Sequence, residues 1–555
     1  MLKEAREALA GSLEKSYHLA AELGELPLVS QLPEIVLERT REKKYGDCAT
    51  NWAMLLARPL GLPPRRIAET LARNMPHTDG LLERTEVAGP GFVNFFLAPG
   101  AWWQTLRRIQ NEGSHFGDSA LGQGKRLQIE FVSANPTGPL NVVNARAATV
   151  GDVLARIAEK SGYKVEKEYY INDEGSQIEN LGRSVEVRLL ELLGRDAALG
   201  EDDYHGEYVK DLARQALSEN QQLAEEPSEK GRRFLADFAL GRIIAGQKLD
   251  LADFGVEFHV WFSQKSLGDE IQKTIDYLAQ KGYTYEKDGA VWFASQRFGD
   301  DQDRVLVRED GRPTYFAADV TYHKNKLDRG FDFLINIWGP DHHGYITRLK
   351  AAVQALGYPE GTLEVILVQL VTLVEGGRQV RMSKRAGKLV SLRDLIEEVG
   401  RDAARFFFAM RHRDSHLEFD LDLARMQTEE NPLYYVQYAH ARICSILRKG
   451  AEAGIFLSSG ETDYSPLCEE ETLDLLKLLS TFPDLVQECA QKMEPHHLTR
   501  YAQDLASAFH GFYTRFRVLG EEPPVTHARL CLADAVRLVL AEICRLLGVI
   551  APEHM

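Results

Sequence analysis

The sequence predicts an α/β protein built around a doubly wound parallel sheet, with a small α+β unit before the sheet and an all-α bundle after it. Three patterns predict this arrangement. A strand at 126–131, a helix at 144–161 and a strand at 164–171 follow one another, and this βαβ order implies parallel pairing. Before the sheet, helical periodicity gives way to an alternating strand at 91–97. From about residue 432 onward the periodicity is almost purely helical.

The chain has 555 residues, enough for about three to five domains, and 44% hydrophobic with 27% charged residues is ordinary globular composition. We expect an N-terminal added α+β domain at 1–112, a Rossmann-like core at 113–431 with a helical insertion at about 189–260, and a helical domain at 432–555. Other expected elements are the helices Leu2–Ala21 and Pro64–Arg73 and the strands Val305–Val307, Phe333–Trp338 and Val365–Val374.

Charge and cysteine usage exclude several classes of protein. The formal charge of −16 argues against holding nucleic acid by bulk charge. Six cysteines stand singly, without CxxC or Cys/His spacing, which indicates reduced thiols rather than disulfides or a zinc knuckle. The N-terminus lacks the apolar stretch of a secretion signal, and the longest apolar run is far short of the ~20 residues that a membrane span needs. We expect a soluble, cytoplasmic protein without a membrane partner.

The first candidate site is the strand-to-helix loop Glu130–Arg146. In an open parallel sheet, ligands bind beyond the carboxyl ends of the strands, where helix N-termini offer free N–H groups to an anion. The loop carries hydrogen-bonding groups and two stiffening prolines, namely Ser133, Asn135, Thr137, Pro136 and Pro139. A proline-rich turn that merely caps a helix would have the same local pattern, and the pattern alone leaves both interpretations open.

The second candidate site is the cationic loop Arg378–Lys388. Residues 376–413 carry ten Lys+Arg and four Asp+Glu, a net charge of +6 within an acidic chain. Such a loop can close on a polyphosphate as charge develops during transfer, although a solvated basic loop is the usual role of a charge run. Neither a dinucleotide fingerprint nor GxxxxGK[ST] occurs, so nicotinamide enzymes and P-loop ATPases are not supported.

Together these two loops resemble a known family. Asn135-Pro-Thr-Gly-Pro-Leu140 and Met382-Ser-Lys-Arg385 resemble the two signature sequences of class I aminoacyl-tRNA synthetases, and further blocks over the whole chain resemble the arginyl-tRNA synthetases. Those blocks are Tyr169–Ile178, Tyr204–Tyr208, Phe254–Trp261, Thr314–Asp319, Trp338–Tyr345, Met382–Gly387 and Ala551–Met555.

The resemblance implies that the chain activates L-arginine with ATP, accompanied by Mg²⁺, and transfers the arginyl group to the 3′ end of tRNA(Arg). The arginine site would comprise Glu130, Ser133, Asn135, Tyr315 and Asp319. The ATP site would comprise Pro136, Thr137, Gly138, Pro139, Gly339, Asp341, His343, Met382 and Ser383. Because a guanidinium is a planar fork of N–H donors, it is best held by carboxylates, and the i, i+4 spacing of Tyr315 and Asp319 places both on one helix face.

The remaining expectations concern RNA, metals and assembly. By resemblance, the helical domain binds the anticodon through Tyr434, Gln437, Tyr438 and Arg442, and the N-terminal domain touches the tRNA elbow. Arg39, Arg41, Lys43 and Lys44 are candidates for phosphate contacts at the elbow. The pair His342-His343 has no further metal ligands nearby in the sequence, so we expect no protein-bound metal. We expect a monomer.

The chain departs from the family at Asn141-Val-Val-Asn144, where class I enzymes carry His-x-Gly-His. In one interpretation, the amides of Asn141 and Asn144 replace the histidines as hydrogen-bond donors, and Lys384 stabilises the phosphates in a working enzyme. In the other, the chain is a non-catalytic tRNA-binding relative with a decayed ATP site. A third hypothesis keeps the catalysis but changes the amino acid, for example to cysteine; the acids Glu130 and Asp319 argue against it.

Overall fold

The structure is a computed structural model that describes residues 3–40, 42–76, 80–224, 228–380, 391–457 and 462–555. The N-terminal unit is a four-stranded antiparallel sheet, in the order β1-β2-β4-β3, covered by helices. Its elements are α1 (Lys3–Glu22), β1 (Glu38–Arg39), β2 (Cys48–Thr50), α2 (Trp52–Leu60), α3 (Pro64–Arg73), β3 (Leu82–Ala88), β4 (Phe92–Leu97) and α4 (Pro99–Glu112). The predicted helix Pro64–Arg73 is confirmed to the residue. Proline at its first position suits a helix start, because that N–H has no intrahelical partner.

The central unit begins with the predicted βαβ arrangement and continues through three long helices. Its first elements are β5 (Arg126–Glu130), α5 (Val142–Lys160), β6 (Lys164–Ile171), α6 (Ser176–Leu192), α7 (Glu207–Glu219), α8 (Glu229–Asp253), β7 (Val260–Ser263), α9 (Glu270–Gln280), β8 (Thr284–Lys287), β9 (Ala290–Phe293) and β10 (Arg304–Val307). They are followed by α10 (Tyr315–Asp328), β11 (Phe333–Trp338), α11 (Ile346–Ala355), β12 (Leu363–Leu367), β13 (Val371–Glu375), β14 (Arg378–Gln379), α12 (Leu392–Val399), α13 (Arg401–Ala409), β15 (Leu417–Asp420) and α14 (Leu421–Arg425).

The main sheet is parallel throughout and has the order β12-β11-β5-β6-β7. The chain builds the sheet outward from β5 in one direction and then returns to add β11 and β12 on the other side. This reversal of strand order lies between β5 and β11, and such a switch point is where doubly wound sheets bind ligands. The predicted doubly wound α/β class is therefore confirmed. Two smaller sheets, β10-β9-β8 and β14-β13-β15, lie outside it.

The single predicted strand Val365–Val374 is wrong. The structure has β12 ending at Leu367 in the main sheet and β13 beginning at Val371 in a different sheet, where it pairs in parallel with β15. The residues between the two strands are apolar on average, yet the chain changes direction there. The Gln369 backbone N–H donates to the Arg413 carbonyl and not to a carbonyl of a neighbouring strand. Hydrophobicity alone does not reveal such a break between two buried strands.

The C-terminal unit is an all-helical bundle, as predicted. Its helices are α15 (Pro432–Glu452), α16 (Glu470–Leu479), α17 (Phe482–Lys492), α18 (His496–Arg515) and α19 (Pro523–Leu547). Apolar side chains of α19 are buried along most of its length, which makes it the centre of the bundle. No helix among the described residues has the length and apolar character required to traverse a lipid bilayer.

A buried arginine joins the bundle to the central unit. Arg405 of α13 is fully buried and donates hydrogen bonds to Asp152 of α5 at 2.6 Å, to the Leu547 carbonyl at the end of α19 and to the Phe254 carbonyl after α8. Gly548 follows α19 with φ of +68°, and a Cβ at that position would overlap the Arg405 guanidinium. Three segments therefore converge on one cation, and glycine is required beside it.

The partner of Arg405 is held as a carboxylate. Burial would raise the pKa of Asp152, but the charges of Arg405, Arg156 and Lys167 outweigh it and lower the pKa to about 2. Loss of one member of such a pair would leave a buried, uncompensated charge. The orientation of α5 relative to the bundle therefore depends on this interaction.

Candidate active site

The crevice lies beyond the carboxyl ends of β5 and β11, and α5 points its N-terminus into it. The chain leaves β5 through two residues in the left-handed region, Val132 with φ of 66° and Ser133 with φ of 37°. A β-branched residue rarely adopts that conformation, and it persists only where the surroundings enforce it. Strain of this kind concentrates in ligand-binding loops, which agrees with the position of the loop.

Three side chains from outside the loop hold its backbone in place. Tyr208 of α7 donates to the Thr137 carbonyl at 2.6 Å, and Gln247 of α8 donates to the Gly138 carbonyl at 2.9 Å. The Tyr169 hydroxyl of β6 donates in turn to Gln247 Oε1 at 2.9 Å. The long helices between β6 and β7 therefore clamp the loop.

The predicted acid at the end of β5 is already paired. Glu130 is buried, and its Oε2 accepts from Nζ of the fully buried Lys326 of α10 at 2.5 Å. Its other oxygen accepts from the Ser133 hydroxyl at 3.0 Å. Ser133 Oγ itself accepts from the Tyr170 backbone N–H at 3.1 Å, which fixes the hydroxyl. Glu130 and Ser133 therefore lie together, as predicted, with an internal cation that was not predicted.

Lys326 begins a chain of hydrogen bonds that runs back along α10. Its Nζ donates to Asn336 Oδ1 at 3.1 Å, and Asn336 Nδ2 donates to His323 Nε2 at 2.8 Å. His323 Nδ1 lies 2.8 Å from the Asp319 carbonyl, which can only accept, so the proton is on Nδ1. Burial and the neighbouring Lys326 charge lower the pKa of His323 to about 3, so the ring is neutral.

The second predicted acid, Asp319, faces the same cluster. Its Oδ2 accepts from the Tyr345 hydroxyl at 2.5 Å. Burial raises its pKa to about 7; the negative charge of Glu130 contributes to the rise, while the Tyr345 hydrogen bond and Lys326 oppose it. Helix α10 links the two acids, because it carries Asp319 and also Lys326, which is bonded to Glu130.

Tyr315, one turn before Asp319 on α10, is 57% exposed. Its hydroxyl lies 3.0 Å from the position that a Cβ on Gly175 would occupy, at the start of α6. Gly175 has φ of +86°, so both the backbone and this close approach favour glycine. Tyr315 therefore lies beside the start of α6 with more than half of its surface exposed.

Asn141 and Asn144 form a reciprocal capping box at the start of α5. Asn141 Oδ1 accepts from the N–H groups of Val143 and Asn144 at 2.9 and 3.1 Å, and Asn144 Oδ1 accepts from the Asn141 N–H at 3.0 Å. Both amide oxygens are thereby used in the helix. Among the described residues, no hydrogen bond occupies either amide nitrogen, so two donors remain at the N-terminus of α5.

The other predicted nucleotide residues occupy both sides of the crevice. Pro136 is buried, and Asn135 and Pro139 are exposed in the first loop. Gly339 caps a short helical turn that follows β11, and Asp341 and His343 are exposed on that turn.

The second signature, with Met382, Ser383 and Lys384, lies outside the described residues. The first described residue after it, Ser391, forms an antiparallel bridge with Asn141. The Leu392 N–H also donates to the Leu140 carbonyl at 2.8 Å. Immediately after this segment, the chain therefore lies beside the start of α5.

The predicted RNA-facing residues lie along one helix, α15. Tyr434 and Tyr438 stack with ring centroids 6.4 Å apart and planes at 7°, and Arg442 donates to the Tyr438 hydroxyl at 2.8 Å. The Arg442 guanidinium also lies 4.6 Å from the centroid of the Tyr513 ring. Gln437 donates to the Ile550 carbonyl at 2.8 Å, so it fastens the C-terminal segment as well.

Sequence reasoning missed Lys326, Tyr208 and Gln247. A lysine in a helix usually indicates a solvated face, and only its position seven residues after Asp319, on the same face of α10, signals that it points inward. Tyr208 belongs to a block that resembles the family, but nothing in its local pattern indicates a bond to the first loop. Gln247 carries no sequence signal that we recognise.

Comparisons with known proteins agree with this architecture. Family models match three successive stretches: the arginyl tRNA synthetase N terminal domain at residues 3–97, the class I tRNA synthetase (R) catalytic domain at 106–420, and the DALR anticodon binding domain at 436–555. The fold and its crevice are thus those of a class I tRNA synthetase.

Full-length relatives identify the family within this class. The chain is 49% identical over 560 residues to an arginine–tRNA ligase of Caldanaerobacter subterraneus, and 47% identical over 559 residues to one of Desulforamulus reducens; both alignments cover 100% of each chain. The Thermus thermophilus arginyl-tRNA synthetase structure superposes with a TM-score of 0.74 at 22% identity, covering 99% of this chain and 100% of that one, which supports the fold. The chain belongs to the arginyl-tRNA synthetase family.

The Lys326–Glu130 pair yields a stability prediction. Lys326→Met should lower the free energy of unfolding by about 3–5 kcal/mol, because it leaves the Glu130 carboxylate buried without its cation. Lys324→Met is the matched control on the same helix: Lys324 pairs with the exposed Asp328, and its loss should cost about 1 kcal/mol or less. Urea unfolding followed by circular dichroism measures both. Equal losses for the two variants, or no recovery when Glu130→Gln is added to Lys326→Met, would contradict the pairing.

Proposed function

We propose that this chain is an arginine–tRNA ligase. An oxygen of the L-arginine carboxylate attacks the α-phosphorus of ATP, the bond from that phosphorus to the bridging oxygen breaks, and pyrophosphate leaves. A hydroxyl of the terminal ribose of tRNA(Arg) then attacks the arginyl carbonyl, and AMP leaves. The observation that carries the proposal is the buried Glu130 at the switch point between β5 and β11, bonded to Lys326 of α10, the helix that also carries Asp319. The family membership supports the same activity.

The charge of the pocket suits a guanidinium. Lys326 already compensates Glu130, so the negative charge that remains for a ligand is that of Asp319. An arginine side chain brings one positive charge as a planar fork of donors, which matches one free carboxylate with a second carboxylate beside it. We propose that Ser133, which donates to Glu130, orients the substrate together with Asn135 and Tyr315.

The chemistry depends on position and charge rather than on an acid–base pair. In-line attack on phosphorus needs aligned reactants and stabilisation of the charge that develops on the phosphate oxygens. We propose that the free amide nitrogens of Asn141 and Asn144 and the N-terminus of α5 supply donors, that Lys384 supplies the cation, and that Met382 and Ser383 join it against the phosphates. The bridge from Ser391 to Asn141 supports the reach of that segment.

The nucleotide is proposed to bind along both sides of the switch point. Pro136, Thr137, Gly138 and Pro139 would hold it from the first loop, and Gly339, Asp341 and His343 from the turn after β11. Mg²⁺ accompanying ATP would add charge stabilisation to the transfer.

We propose that transfer RNA contacts all three domains, which comprise residues 1–112, 113–431 and 432–555. The stacked Tyr434 and Tyr438 with Arg442 form a surface on which unpaired bases can stack, and Gln437 lies beside it. Lys43 is bonded to Glu470 and Asp474, so a phosphate would have to compete with these acids for it.

We further propose a monomeric, cytoplasmic enzyme; its six cysteines are free thiols, which suits a reducing compartment.

Arginine-dependent exchange of pyrophosphate into ATP, measured with and without tRNA(Arg), tests the function directly. We expect exchange that depends on arginine and is absent with lysine, cysteine or glutamine, because only a guanidinium matches the two acids. Exchange in neither condition, together with retained tRNA binding, would establish the alternative of a non-catalytic relative. Exchange with cysteine in place of arginine would show that the substrate is wrong while the reaction class is right.

The raised pKa of Asp319 predicts a pH-dependent affinity for arginine. Below about pH 7 this carboxyl is protonated, so a guanidinium must displace a proton, and the KM for arginine should rise by up to about tenfold per pH unit. Above about pH 7 the carboxylate is already ionised and the KM should be flat. Asp319→Asn should bind arginine weakly with no such slope, and the KM for ATP is the internal control. A wild-type KM for arginine that is flat between about pH 6 and about pH 8 would refute the assignment.

The free amide of Asn141 predicts an effect on rate without an effect on stability. Asn141→Ser keeps an equally good helix cap but removes the amide donor, so the rate of adenylate formation should fall by the equivalent of about 1–3 kcal/mol. The reverse exchange at a distant cap, Ser228→Asn on α8, should change neither rate nor melting temperature. A rate loss that is accompanied by a matching loss of stability would assign Asn141 to capping alone.

A further inference from the structure

A cluster of metal-ligating side chains lies outside the crevice, where the bundle meets the central unit. Glu494, His496 and His497 follow the end of α17, and one donor atom from each lies within 4.8 Å of the others. His497 Nε2 is 2.9 Å from Glu494 Oε2. None of these residues takes part in the proposed catalysis, and they are far along the chain from the His342-His343 pair on which the expectation of no protein-bound metal was based.

A fourth candidate ligand comes from the central unit. His412, which follows α13, places its Nε2 3.4 Å from Glu494 Oε1, and its ring centroid is 5.2 Å from that of His496. The neighbouring Arg413 donates to the Met493 carbonyl at 2.5 Å, which holds the two segments together. Three imidazoles and a carboxylate therefore lie close together, with His412 beside Oε1 of Glu494 and His497 beside its Oε2.

One donor in this cluster has no protein partner. His496 Nδ1 is buried, and no hydrogen bond to it is formed within the described part of the chain. A buried ring nitrogen without a partner costs free energy, and such a group calls for an explanation such as a bound ion. Met493, directly before the cluster, has φ of +56°, so the turn that assembles these residues is held in an uncommon conformation.

Geometry and charge both suit a small divalent transition metal. Zinc binds imidazole nitrogen and carboxylate oxygen at about 2.0–2.2 Å, so tetrahedral ligand atoms are about 3.4 Å apart. The separations of 2.9 Å from His497 Nε2 to Glu494 Oε2 and of 3.4 Å from His412 Nε2 to Glu494 Oε1 are of that scale. Glu494 follows the C-terminal end of α17, and its carboxylate supplies a negative charge, while the neighbouring Arg413 lies 3.7 Å from Asp414.

We propose that Glu494, His496 and His497, with His412 as the fourth ligand, bind one zinc-class divalent ion that braces the bundle against the central unit. Imidazole with carboxylate selects zinc or its transition-metal neighbours over magnesium or calcium, which prefer oxygen ligands throughout. The ion would also restrain α5, because Arg146 of that helix donates to the His412 carbonyl at 3.0 Å. Metal binding would thereby reach the helix that begins at the crevice.

The test uses the full chain carrying Cys468→Ser, which removes the exposed thiol, after treatment with a chelator. Titration with Zn²⁺ in a calorimeter should show one equivalent bound, and the melting temperature should rise with Zn²⁺ concentration. Glu494→Gln and His497→Gln should each weaken binding by at least about tenfold, since even residues that only orient a ligand are worth about 10–100-fold. His115→Gln is the matched control: this histidine pairs with Asp118 at 2.8 Å, but it belongs to no three-ligand cluster within the described part of the chain.

Two further measurements locate the ion. Co²⁺ in place of Zn²⁺ should give visible absorption typical of tetrahedral nitrogen and oxygen ligands, without a thiolate band. Zn²⁺ should also slow amide hydrogen exchange in residues 410–414 and 493–498. Failure to bind Zn²⁺, or binding that is equally tight in Glu494→Gln/His497→Gln, would overturn the proposal. Because each variant is compared with its own metal-free melting temperature, a folding defect is recognised separately from a loss of ligand.

Discussion

A buried ammonium bonded to a buried carboxylate sets the charge of the crevice. Glu130 contributes to the raised pKa of Asp319, and the charge of Lys326 opposes that rise. The lysine also gives Glu130, at the end of the central strand, a cation at 2.5 Å. The polar side chains of Asn336 on β11 and His323 on α10 complete the arrangement, since each satisfies the next.

Helix α5, which follows the first strand of the parallel sheet, connects the crevice to the rest of the molecule. Its N-terminus carries the asparagine caps, its middle carries Asp152, and between them Arg146 donates to backbone carbonyls of the segments after β12 and α13. Through Asp152 and Arg405 the same helix is tied to the end of the bundle. A displacement of the bundle is therefore transmitted to α5 by side chains that are buried and bonded, rather than by surface contacts.

Much of the fold could be predicted from the sequence because local patterns decide it. The strand Lys164–Ile171 and the helix Pro64–Arg73 have strong periodicity and clear ends, and the structure has both with the predicted bounds. The break inside Val365–Val374 could not be predicted, because it depends on the distant Arg413 carbonyl. In the same way, strand order follows from tertiary packing, although the βαβ pattern gave the direction of pairing.

In the site, the sequence indicates candidate residues, whereas the hydrogen-bond partners of those residues are seen only in the structure. The resemblance to the family indicates Glu130 and Asp319, whose negative charge suits a guanidinium, and their role in binding arginine stays a prediction. That Glu130 already holds a lysine could not be predicted, because a helical lysine usually lies in solvent. The capping role of Asn141 was predictable from its position before a helix, since asparagine is among the preferred N-cap residues, but the analogy with histidine drew attention to the amide nitrogen alone.

The capping box has a consequence for how the amides act. Since both oxygens are engaged by backbone N–H groups, neither side chain can exchange its oxygen for its nitrogen without breaking the start of the helix. The orientation of both donor groups is therefore settled when the protein folds, before any nucleotide arrives. The two amide donors therefore need little reorientation when the reaction occurs. This fixed orientation compensates in part for the positive charge that an imidazole could carry and a neutral amide cannot.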